Sequence, residues 1–293
     1  KALAKISTVI FQRYERKMQN VGVLDFDQLL VDATQHIHAT KGNCFIRGIG
    51  TLKALRHVLI DEHQDTSPLS FNFIQAIRKY NNDLKVFAVG DPRQSIYGFA
   101  GSDLHYFRNF QNLFEDSAVC HLTTNRRSRQ KIVQNANALY PHSRPMQWVQ
   151  EHEQGYVENI FVGKADRNNI AERSADIISR NPNGSMLILT RTNRILGVSL
   201  DAFQSLVIER LQKKGCINEQ DTVSVKTAHG AKGMQADMAI VLRTKNSFPL
   251  MHPDSPLFEL FGISEESVLD EERRLLFVAL TRAQKGLYIV NMG

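Results

Sequence analysis

The string VLIDEHQD at residues 58–65 constrains the fold more than any other part of the sequence. Its apolar half is typical of a buried strand, and the carboxylates of Asp61 and Glu62 follow where that strand ends. In open α/β folds, ligands bind at the carboxyl ends of parallel strands. One acid placed there can hold Mg²⁺ while its neighbour orients or deprotonates water. Taken alone, the string also fits a strand followed by a polar turn.

Helical and strand-like segments alternate along the 293 residues, which predicts an α/β fold with parallel sheets. The length is sufficient for two domains, each with its own core. Strands are expected near 57–61, 85–90, 156–161, 186–190, 222–227, 238–242 and 287–290. Helices are expected near 1–19, 25–38, 128–140, 168–180, 199–213 and 270–283, with a further helix starting at Ser67-Pro68. Residues 141–155 are predicted to be a surface connection, and 245–268 a long loop with a short helical piece.

Composition narrows the function only slightly. Lys and Arg number 36 against 30 Asp and Glu, and the net charge of +6 is a weak indication of a polyanionic partner. The cysteines Cys44, Cys120 and Cys216 lack metal-binding spacing and are predicted to be reduced, mostly buried thiols of a cytoplasmic protein. No apolar run approaches the roughly 18 residues of a membrane span, and no signal peptide opens the chain. Because the chain begins KALAKIS without methionine, we expect a fragment of a longer protein.

Six polar strings follow one another along the chain. They are LDFDQLL at 24–30, LIDEHQDTS at 59–67, VGDPRQSIYGFAGSD at 89–103, LTTNRRS at 122–128, VKTAHGAKGMQAD at 225–237 and EERRLLFVALTRA at 271–283. Together they resemble the ordered motif set of superfamily 1 helicases of the UvrD/Rep type, over nearly the whole chain. One string would be weak evidence, whereas six in the family's order are specific.

The resemblance implies two RecA-like parallel-sheet domains of the P-loop NTPase type. Residues 1–118 would be the C-terminal part of the first motor domain, 1A, with a remnant of 1B at the start. Residues 119–293 would be the second motor domain, 2A. Only about thirty residues separate Arg191 from Thr222, where UvrD and Rep carry the large 2B insertion, so 2B is expected to be absent. This layout, with KGMQAD, resembles the helicase IV branch most.

The resemblance also implies ATP and Mg²⁺ as cofactors and a set of catalytic residues. Asp61 would bind the metal, Glu62 would activate water, and Gln94 would contact the γ-phosphate or the attacking water. Arg127 and Arg282 match the family's two γ-phosphate arginines. These roles suit phosphoryl transfer, which needs an in-line water, a divalent ion and cations around the departing charge.

Each of these assignments has a structural alternative. Gln94 could cap its loop, and Arg127 could belong to a solvated basic patch with Arg126 and Arg129. Arg282 could be a surface charge of its helix that pairs with Glu271 or Glu272.

Further nucleotide contacts are implied for Gln64, Arg126, Gly233 and Gln235. Arg126 stands where the family often has a tyrosine that stacks on adenine, and Gln235 stands where it usually has glutamate. Arginine can also stack, and glutamine can still bond a ribose hydroxyl. Gly233, together with Gly230, would let backbone amides approach phosphates closely.

Single-stranded DNA, alone or at a junction with duplex, is the implied partner. Proteins bind it through its phosphates and by stacking bases on aromatic rings. Tyr97 and Phe99 match the family's stacking positions, although core packing is an alternative for Phe99. The string that contains Thr227, His229 and Lys232 matches one that contacts both the DNA backbone and the nucleotide, and His229 could instead be structural.

The main departure from the family is the absence of a GxxxxGK[ST] loop, which cradles the β- and γ-phosphates. We expect this loop on an upstream segment, and we expect these 293 residues alone not to hydrolyse ATP efficiently. A catalytically inert nucleic-acid-binding or scaffold module derived from a helicase would also explain the absence. A helicase-like arm of a larger nuclease or polymerase-associated complex is a third alternative.

The leading hypothesis is an ATP-dependent DNA helicase or translocase that moves 3′ to 5′ along single-stranded DNA. It would work in DNA repair, replication or recombination, in the cytoplasm and associated with the nucleoid, without a membrane partner. Its mechanism requires that the acids of the first domain and the arginines of the second act on one nucleotide.

Overall fold

The computed structural model of the protein describes residues 2–48, 50–151, 153–163, 165–181, 184–216, 223–244, 248 and 264–293. The chain forms two compact units. Unit 1 comprises Lys1–Pro92 and Tyr97–Glu115. Unit 2 comprises Arg93–Ile96 and Asp116–Gly293. The short segment Arg93–Ile96 therefore belongs to unit 2, although the residues on both sides of it belong to unit 1.

Unit 1 combines helices with a small parallel sheet. Its helices are α1 (Ala2–Val21), α2 (Phe26–Ala39), α3 (Pro68–Lys79), α4 (Leu104–Arg108) and α5 (Phe110–Leu113). Its strands are β1 (Phe45–Ile46), β2 (Gly50–Thr51), β3 (His57–Ile60) and β4 (Lys85–Ala88). Strands β1 and β2 form an antiparallel pair, and β3 and β4 a parallel pair.

The helix starts in unit 1 follow the sequence signals. Asp25 caps α2 by accepting a hydrogen bond from the Gln28 N–H, at 2.8 Å. Ser67 caps α3 in the same way through the Ser70 N–H, and Pro68 occupies the first helical position, where its missing N–H is not needed. Helices α2 and α3 pack through a small core that contains Ile37 and Ile77.

The sheet of unit 1 has two different faces. Val58 on β3 packs against the core, whereas its neighbour Leu59 points to the opposite side and is 75% exposed. Phe87, the partner of Leu59 in register on β4, is 61% exposed. The expectation of a buried strand before Asp61 is therefore wrong, because only one face of this two-stranded sheet packs against the core. The loop after β3 carries Asp61, Glu62 and Gln64, and the loop after β4 leads to Gln94.

Unit 2 contains a five-stranded sheet in the order β11-β8-β12-β13-β7, and every strand pair in it is parallel. The strands are β7 (Tyr156–Val162), β8 (Met186–Thr190), β11 (Val223–Thr227), β12 (Ala236–Thr244) and β13 (Ala283–Met292). Unit 2 also contains two short strand pairs: β5 (Thr124–Asn125) with β6 (Gln147–Trp148), and β9 (Arg194–Ile195) with β10 (Val198–Ser199).

Among the described residues of unit 2, four helices accompany this sheet: α6 (Gln130–Asn137), α7 (Arg167–Ser179), α8 (Leu200–Lys213) and α9 (Glu265–Leu280). Ile170 of α7 and Phe203 of α8 belong to the same core as Ile188 and Ile240 of the sheet. Alternate residues such as Leu187 are equally buried and point to the other face. Burial on both faces is the rule for parallel sheets, and the predicted α/β class is confirmed.

Several boundaries differ from the sequence prediction. Helix α9 begins five residues earlier than expected because Ser264 caps it by accepting from the Ser267 N–H. It ends at Leu280, so Arg282 follows the helix. Residues 141–155 are more than a connection, since β6 lies within them. Most of the predicted loop 245–268 lies outside the described residues.

The prediction of mostly buried thiols is wrong. Cys120 is exposed, and Cys44 and Cys216 are half-buried. All three lie in connections between helices and strands, which run over the surface, rather than in core elements. In the part of the chain that the structure describes, no helix combines the length and apolar character needed to cross a membrane.

Asp237 joins the starts of three strands in unit 2. Its carboxylate accepts hydrogen bonds from the Ser185 N–H, at 3.0 Å, and the Ser185 hydroxyl, at 2.8 Å, and it pairs with Lys285. The hydrogen bond from Lys285 is the main reason why the pKa of Asp237 falls to about 2. The charged carboxylate thus stabilises the folded sheet.

Asp237→Asn is expected to lower the free energy of unfolding at pH 7 by roughly 1 kcal/mol, after allowance for screening by solvent. Because the folded pKa lies below the unfolded one, this contribution is complete above about pH 4. It disappears as the pH falls through 2. Thermal unfolding at pH 7 and pH 2 measures both effects. Glu158→Gln, at an exposed position of β7, is the control, and an equal loss at both pH values would contradict the prediction.

Candidate nucleotide and nucleic-acid sites

The adjacent carboxylates of Asp61 and Glu62 lie in solvent at the end of strand β3. The strand ends at Ile60, and both Asp61 and Glu62 are exposed directly after it. The Asp61 Oδ1 atom accepts a hydrogen bond from the Glu62 N–H at 2.9 Å. Glu62 itself has φ +50°, in the left-handed region that residues with a Cβ seldom adopt. The chain therefore turns sharply at Glu62, directly after the strand end and Asp61.

The loop after β4 is tied to this turn. The His63 N–H donates to the Val89 carbonyl at 2.8 Å, and the Val89 N–H donates to the Ile60 carbonyl at 2.9 Å. Gln64, which the resemblance assigns to the nucleotide, is fully buried between the two loops. The structure therefore holds the carboxyl ends of β3 and β4 as one assembly.

His63 is a buried residue of this assembly that the sequence motifs do not single out. It is 2% exposed, lies against the rings of Phe107 and Phe110, and has Nδ1 at 2.8 Å from the Thr66 hydroxyl. Burial lowers the pKa of His63, so the ring is neutral at pH 7. The sequence gives no sign that this polar residue would be inside.

The exposed carboxylates of Asp61 and Glu62 are a donor set of the kind that Mg²⁺ uses. Among the described residues, no group of three or more His, Cys, Asp and Glu side chains could hold a metal ion. Mg²⁺ is commonly bound through one or two carboxylates, together with waters and substrate phosphates. An exposed Asp61 at a strand end matches that pattern.

Unit 2 brings together three residues that the sequence predicts for the site: Gln94, Lys232 and Arg282. The Arg282 Nη2 atom donates to Gln94 Oε1 at 3.3 Å, and Lys232 Nζ donates to the Gln94 carbonyl at 3.0 Å. Arg274, which the sequence motifs do not predict, donates from Nε to the Ser95 carbonyl at 2.7 Å. Three cationic side chains thus hold the segment Arg93–Ile96.

Arg282 is a buried residue. It is 1% exposed, and its guanidinium also donates to the carbonyls of Val278, at 2.9 Å, and Met234, at 3.1 Å. The alternative of a surface charge is wrong, because the arginine lies after the end of α9 and points inward. Glu272, its suggested partner, is 5% exposed and binds Arg191 instead. The Arg191 Nε–H is shared between the two Glu272 carboxylate oxygens, at 2.9 and 3.0 Å, and Arg191 Nη2 donates to Glu272 Oε1.

The second predicted arginine, Arg127, is exposed on the segment before α6. The Ser128 hydroxyl donates to the Ala283 carbonyl at 2.7 Å, which places the segments that carry Arg127 and Arg282 side by side. Arg126 is exposed as well, whereas Arg129 is half-buried and pairs with Glu153. Arg129 therefore does not belong to a solvated basic patch.

Residues 227–235 form a tight connection from β11 to β12. The Thr227 hydroxyl accepts a hydrogen bond from the Gly230 N–H at 3.0 Å, and Gly233 has φ +80°, which suits glycine. Gln235 is exposed. Burial, followed by the positive charge of Arg191, lowers the pKa of the half-buried His229, so that this ring is neutral at pH 7.

The two predicted stacking residues belong to unit 1. Phe99 is 75% exposed, so the alternative of core packing is wrong. Tyr97 is half-buried, and burial raises its pKa. The two rings meet edge to face with centroids 6.1 Å apart. An exposed ring supported by a second ring can offer a face to a nucleic-acid base.

The acids belong to unit 1 and the predicted arginines to unit 2. Their action on one nucleotide stays a prediction.

Comparison with known proteins gives matches over most of the chain. The model of the UvrD/REP helicase N-terminal domain matches residues 2–115, and the model of the UvrD-like helicase C-terminal domain matches residues 199–292. DNA helicase IV of Escherichia coli is 29% identical over 242 residues, which is 80% of this chain and 33% of that protein. A "Probable DNA helicase" of Mycoplasma pneumoniae is 25% identical over 99% of this chain and 53% of its own length. The chain thus spans about a third to a half of these relatives.

Proposed function

Because the chain belongs to the UvrD/Rep helicase family, we propose that it is the motor part of an ATP-dependent DNA helicase or translocase acting on single-stranded DNA. Domains of this family are RecA-like, in agreement with the parallel sheets, and UvrD-like helicases use ATP with Mg²⁺. We assign residues 1–118 to domain 1A, with a remnant of 1B at the start, and residues 119–293 to domain 2A, without a 2B insertion. Within the first range, the segment Arg93–Ile96 belongs to unit 2.

The contact between Gln94 and Arg282 carries the proposal. An arginine that is 1% exposed can satisfy its donors only through fixed partners, and one of these is the glutamine that the motif set assigns to the γ-phosphate. The bond to Gln94, at 3.3 Å, is longer than the bonds of the same guanidinium to the carbonyls of Val278 and Met234. The Nη2 group, which also donates to the Thr281 hydroxyl at 3.2 Å, could donate to a phosphate oxygen instead of Gln94 while the bonds to the two carbonyls stay in place.

In the proposed reaction, each group has a separate task. Asp61 would hold Mg²⁺, which neutralises phosphate charge when it is bound. Glu62 would accept the proton of the attacking water, and Gln94 would orient that water or the γ-phosphate. Arg127 and Arg282 would stabilise the charge that develops on the transferred phosphoryl group.

Other residues would bind the nucleotide and the DNA. Arg126 and Gln235 are exposed and available to base and sugar, and the backbone at Gly233 can approach a phosphate. Thr227, His229 and Lys232 would contact the DNA backbone. Because His229 is neutral at pH 7, it would act there as a hydrogen-bonding group rather than as a charge.

We further propose movement from 3′ to 5′ on single-stranded DNA or at junctions, in DNA repair, replication or recombination. DNA helicase IV and the relative from Mycoplasma pneumoniae are both named as DNA helicases, which supports a DNA substrate. The direction is tested with the full-length protein on duplexes that carry a single 3′ or 5′ tail. Unwinding from the 5′ tail alone would contradict it.

Phe99→Ala is expected to weaken DNA binding strongly, since stacking is worth about 1–3 kcal/mol per base, or roughly 5- to 150-fold in affinity. The measurement is ATP hydrolysis by the full-length protein as single-stranded DNA is titrated at constant salt. The half-saturating DNA concentration should rise at least about fivefold while the maximal rate is retained. The matched control is Phe45→Ala, because Phe45 is 76% exposed. Equal effects of both variants, or hydrolysis that DNA does not stimulate, would refute the proposal.

A further inference from the structure

We propose that Gln64 is a positioning residue, which holds the Glu62 carboxylate in its working orientation and does not touch the nucleotide. The role differs from the direct nucleotide contact that the motif resemblance implies. It rests on the proposed function, because it is defined relative to the water-activating base.

Burial and hydrogen bonding give the first argument. Gln64 is 0% exposed within the 3₁₀ turn His63–Asp65. Its Oε1 atom accepts a hydrogen bond from the Asp91 N–H at 3.0 Å, and its Nε2 atom donates to Glu62 Oε2. The amide thus bridges the loop after β4 and the carboxylate after β3.

The backbone of Asp91 fixes which end of the amide faces Glu62. A backbone N–H can only donate, so the Gln64 atom beside Asp91 must be the carbonyl oxygen. The NH₂ group then faces Glu62, whose ionised carboxylate can only accept. Hydrogen bonds to a charged acceptor are stronger than neutral ones. The geometry therefore gives one orientation, with both ends of the amide engaged.

The surrounding backbone is shaped for this amide. A Cβ at Gly90 would overlap Gln64 Oε1 and would lie 3.0 Å from Phe107 Cε2, so glycine leaves the space that the amide occupies. Glu62 has φ +50°, a conformation that costs free energy and persists where its surroundings impose it. The bond from Gln64 to the Glu62 side chain is one such restraint.

Positioning matters at this residue because a glutamate side chain has the freedom to adopt several rotamers, and the Glu62 side chain is exposed. A shift of about 1 Å in a reacting group can reduce a rate roughly 10²-fold. A buried donor beside the carboxylate removes that freedom before the substrate arrives. The expected signature of such a residue is a change in kcat without a change in nucleotide affinity.

Gln64→Glu in the full-length protein keeps the contact at one end of the Gln64 amide and changes the contact at the other. The new carboxylate can still accept from the Asp91 N–H, but it repels Glu62 instead of donating to it. We expect kcat for DNA-stimulated ATP hydrolysis to fall about 10²-fold with KM for ATP changed less than about twofold. The control is Gln111→Glu, the same change at an exposed position, which should retain wild-type kinetics. A large rise in KM at unchanged kcat would overturn the proposal in favour of a direct nucleotide contact.

The double variant Glu62→Gln/Gln64→Glu tests whether Gln64 acts through Glu62. Once the base is removed, the second change should cost at most about twofold more, whereas independent roles would multiply. Activity retained in Glu62→Gln alone would refute the proposed function. If Glu62→Gln causes a large loss and the double variant loses the product of the two single effects, only the role of Gln64 would be refuted.

Gln64→Met is the control for misfolding, because methionine keeps the side-chain volume without adding a charge. Both Gln64 variants should retain the wild-type affinity for a non-hydrolysable ATP analogue. Loss of that affinity in both would overturn the proposal, because it would assign Gln64 to the folding of the turn.

Discussion

Glu62→Gln in the full-length protein should reduce DNA-stimulated ATP hydrolysis at least about 10²-fold, because loss of a general base removes the acceptor for the proton of the attacking water. The amide has nearly the same shape as the carboxylate, and Glu62 is exposed on its turn. The change should therefore leave stability and nucleotide affinity close to those of the wild type. The effect should be on kcat, as expected for an interaction made only in the transition state.

The measurement is the steady-state rate at saturating ATP, Mg²⁺ and single-stranded DNA, with the affinity for an ATP analogue measured in parallel. Glu115→Gln makes the same chemical change at an exposed position of unit 1 and should have no effect. A loss of no more than threefold in Glu62→Gln would exclude this residue as the base. Loss of analogue binding would instead indicate that Glu62 organises the nucleotide site.

Arg282→Ala should be the most damaging substitution in unit 2, since it affects both folding and catalysis. The buried guanidinium bonds the carbonyls of Val278 and Met234, which would be left without these donors. Such losses cost roughly 1–3 kcal/mol for each stranded buried group. An arginine that stabilises the phosphoryl transition state is worth about 10³–10⁵ in rate. We therefore expect a lower Tm together with a rate loss of at least about 10³-fold.

Arg282→Lys separates the two effects. Lysine keeps the positive charge but cannot reproduce the planar fork of donors, so part of the stability should return while hydrolysis stays at least about tenfold below the wild type. Thermal unfolding and kcat are measured on the same preparations. Arg273→Lys on α9 is the control, because that side chain is 49% exposed and pairs with Asp270. Wild-type kcat in Arg282→Lys would show that a charge alone suffices at this position.

The predicted strands show how much of the fold follows from local sequence. Strand β8, with the sequence MLILT, has the predicted bounds because a short apolar run between polar residues favours a buried strand. The start of α3 is equally clear, since Ser67 and Pro68 satisfy local requirements of a helix end. The start of α9 at Glu265 differs from the prediction because the apolar periodicity begins later than the cap.

The sequence by itself determined which chemical groups are present and in what order: the paired acids after an apolar strand, the glutamine loop and the arginines of the later strings. These motifs can be recognised from residue spacing and from the local preference for strand, turn or helix, because both depend only on residues close together in the sequence. Only the tertiary structure decided that Gln64 is buried and bonded to Glu62, that Arg282 points inward to Gln94, and that Arg191 binds Glu272. Arg282 and Gln94 are 188 residues apart in sequence, and a contact at that separation is set by the packing of the whole unit. No local pattern of residues encodes it.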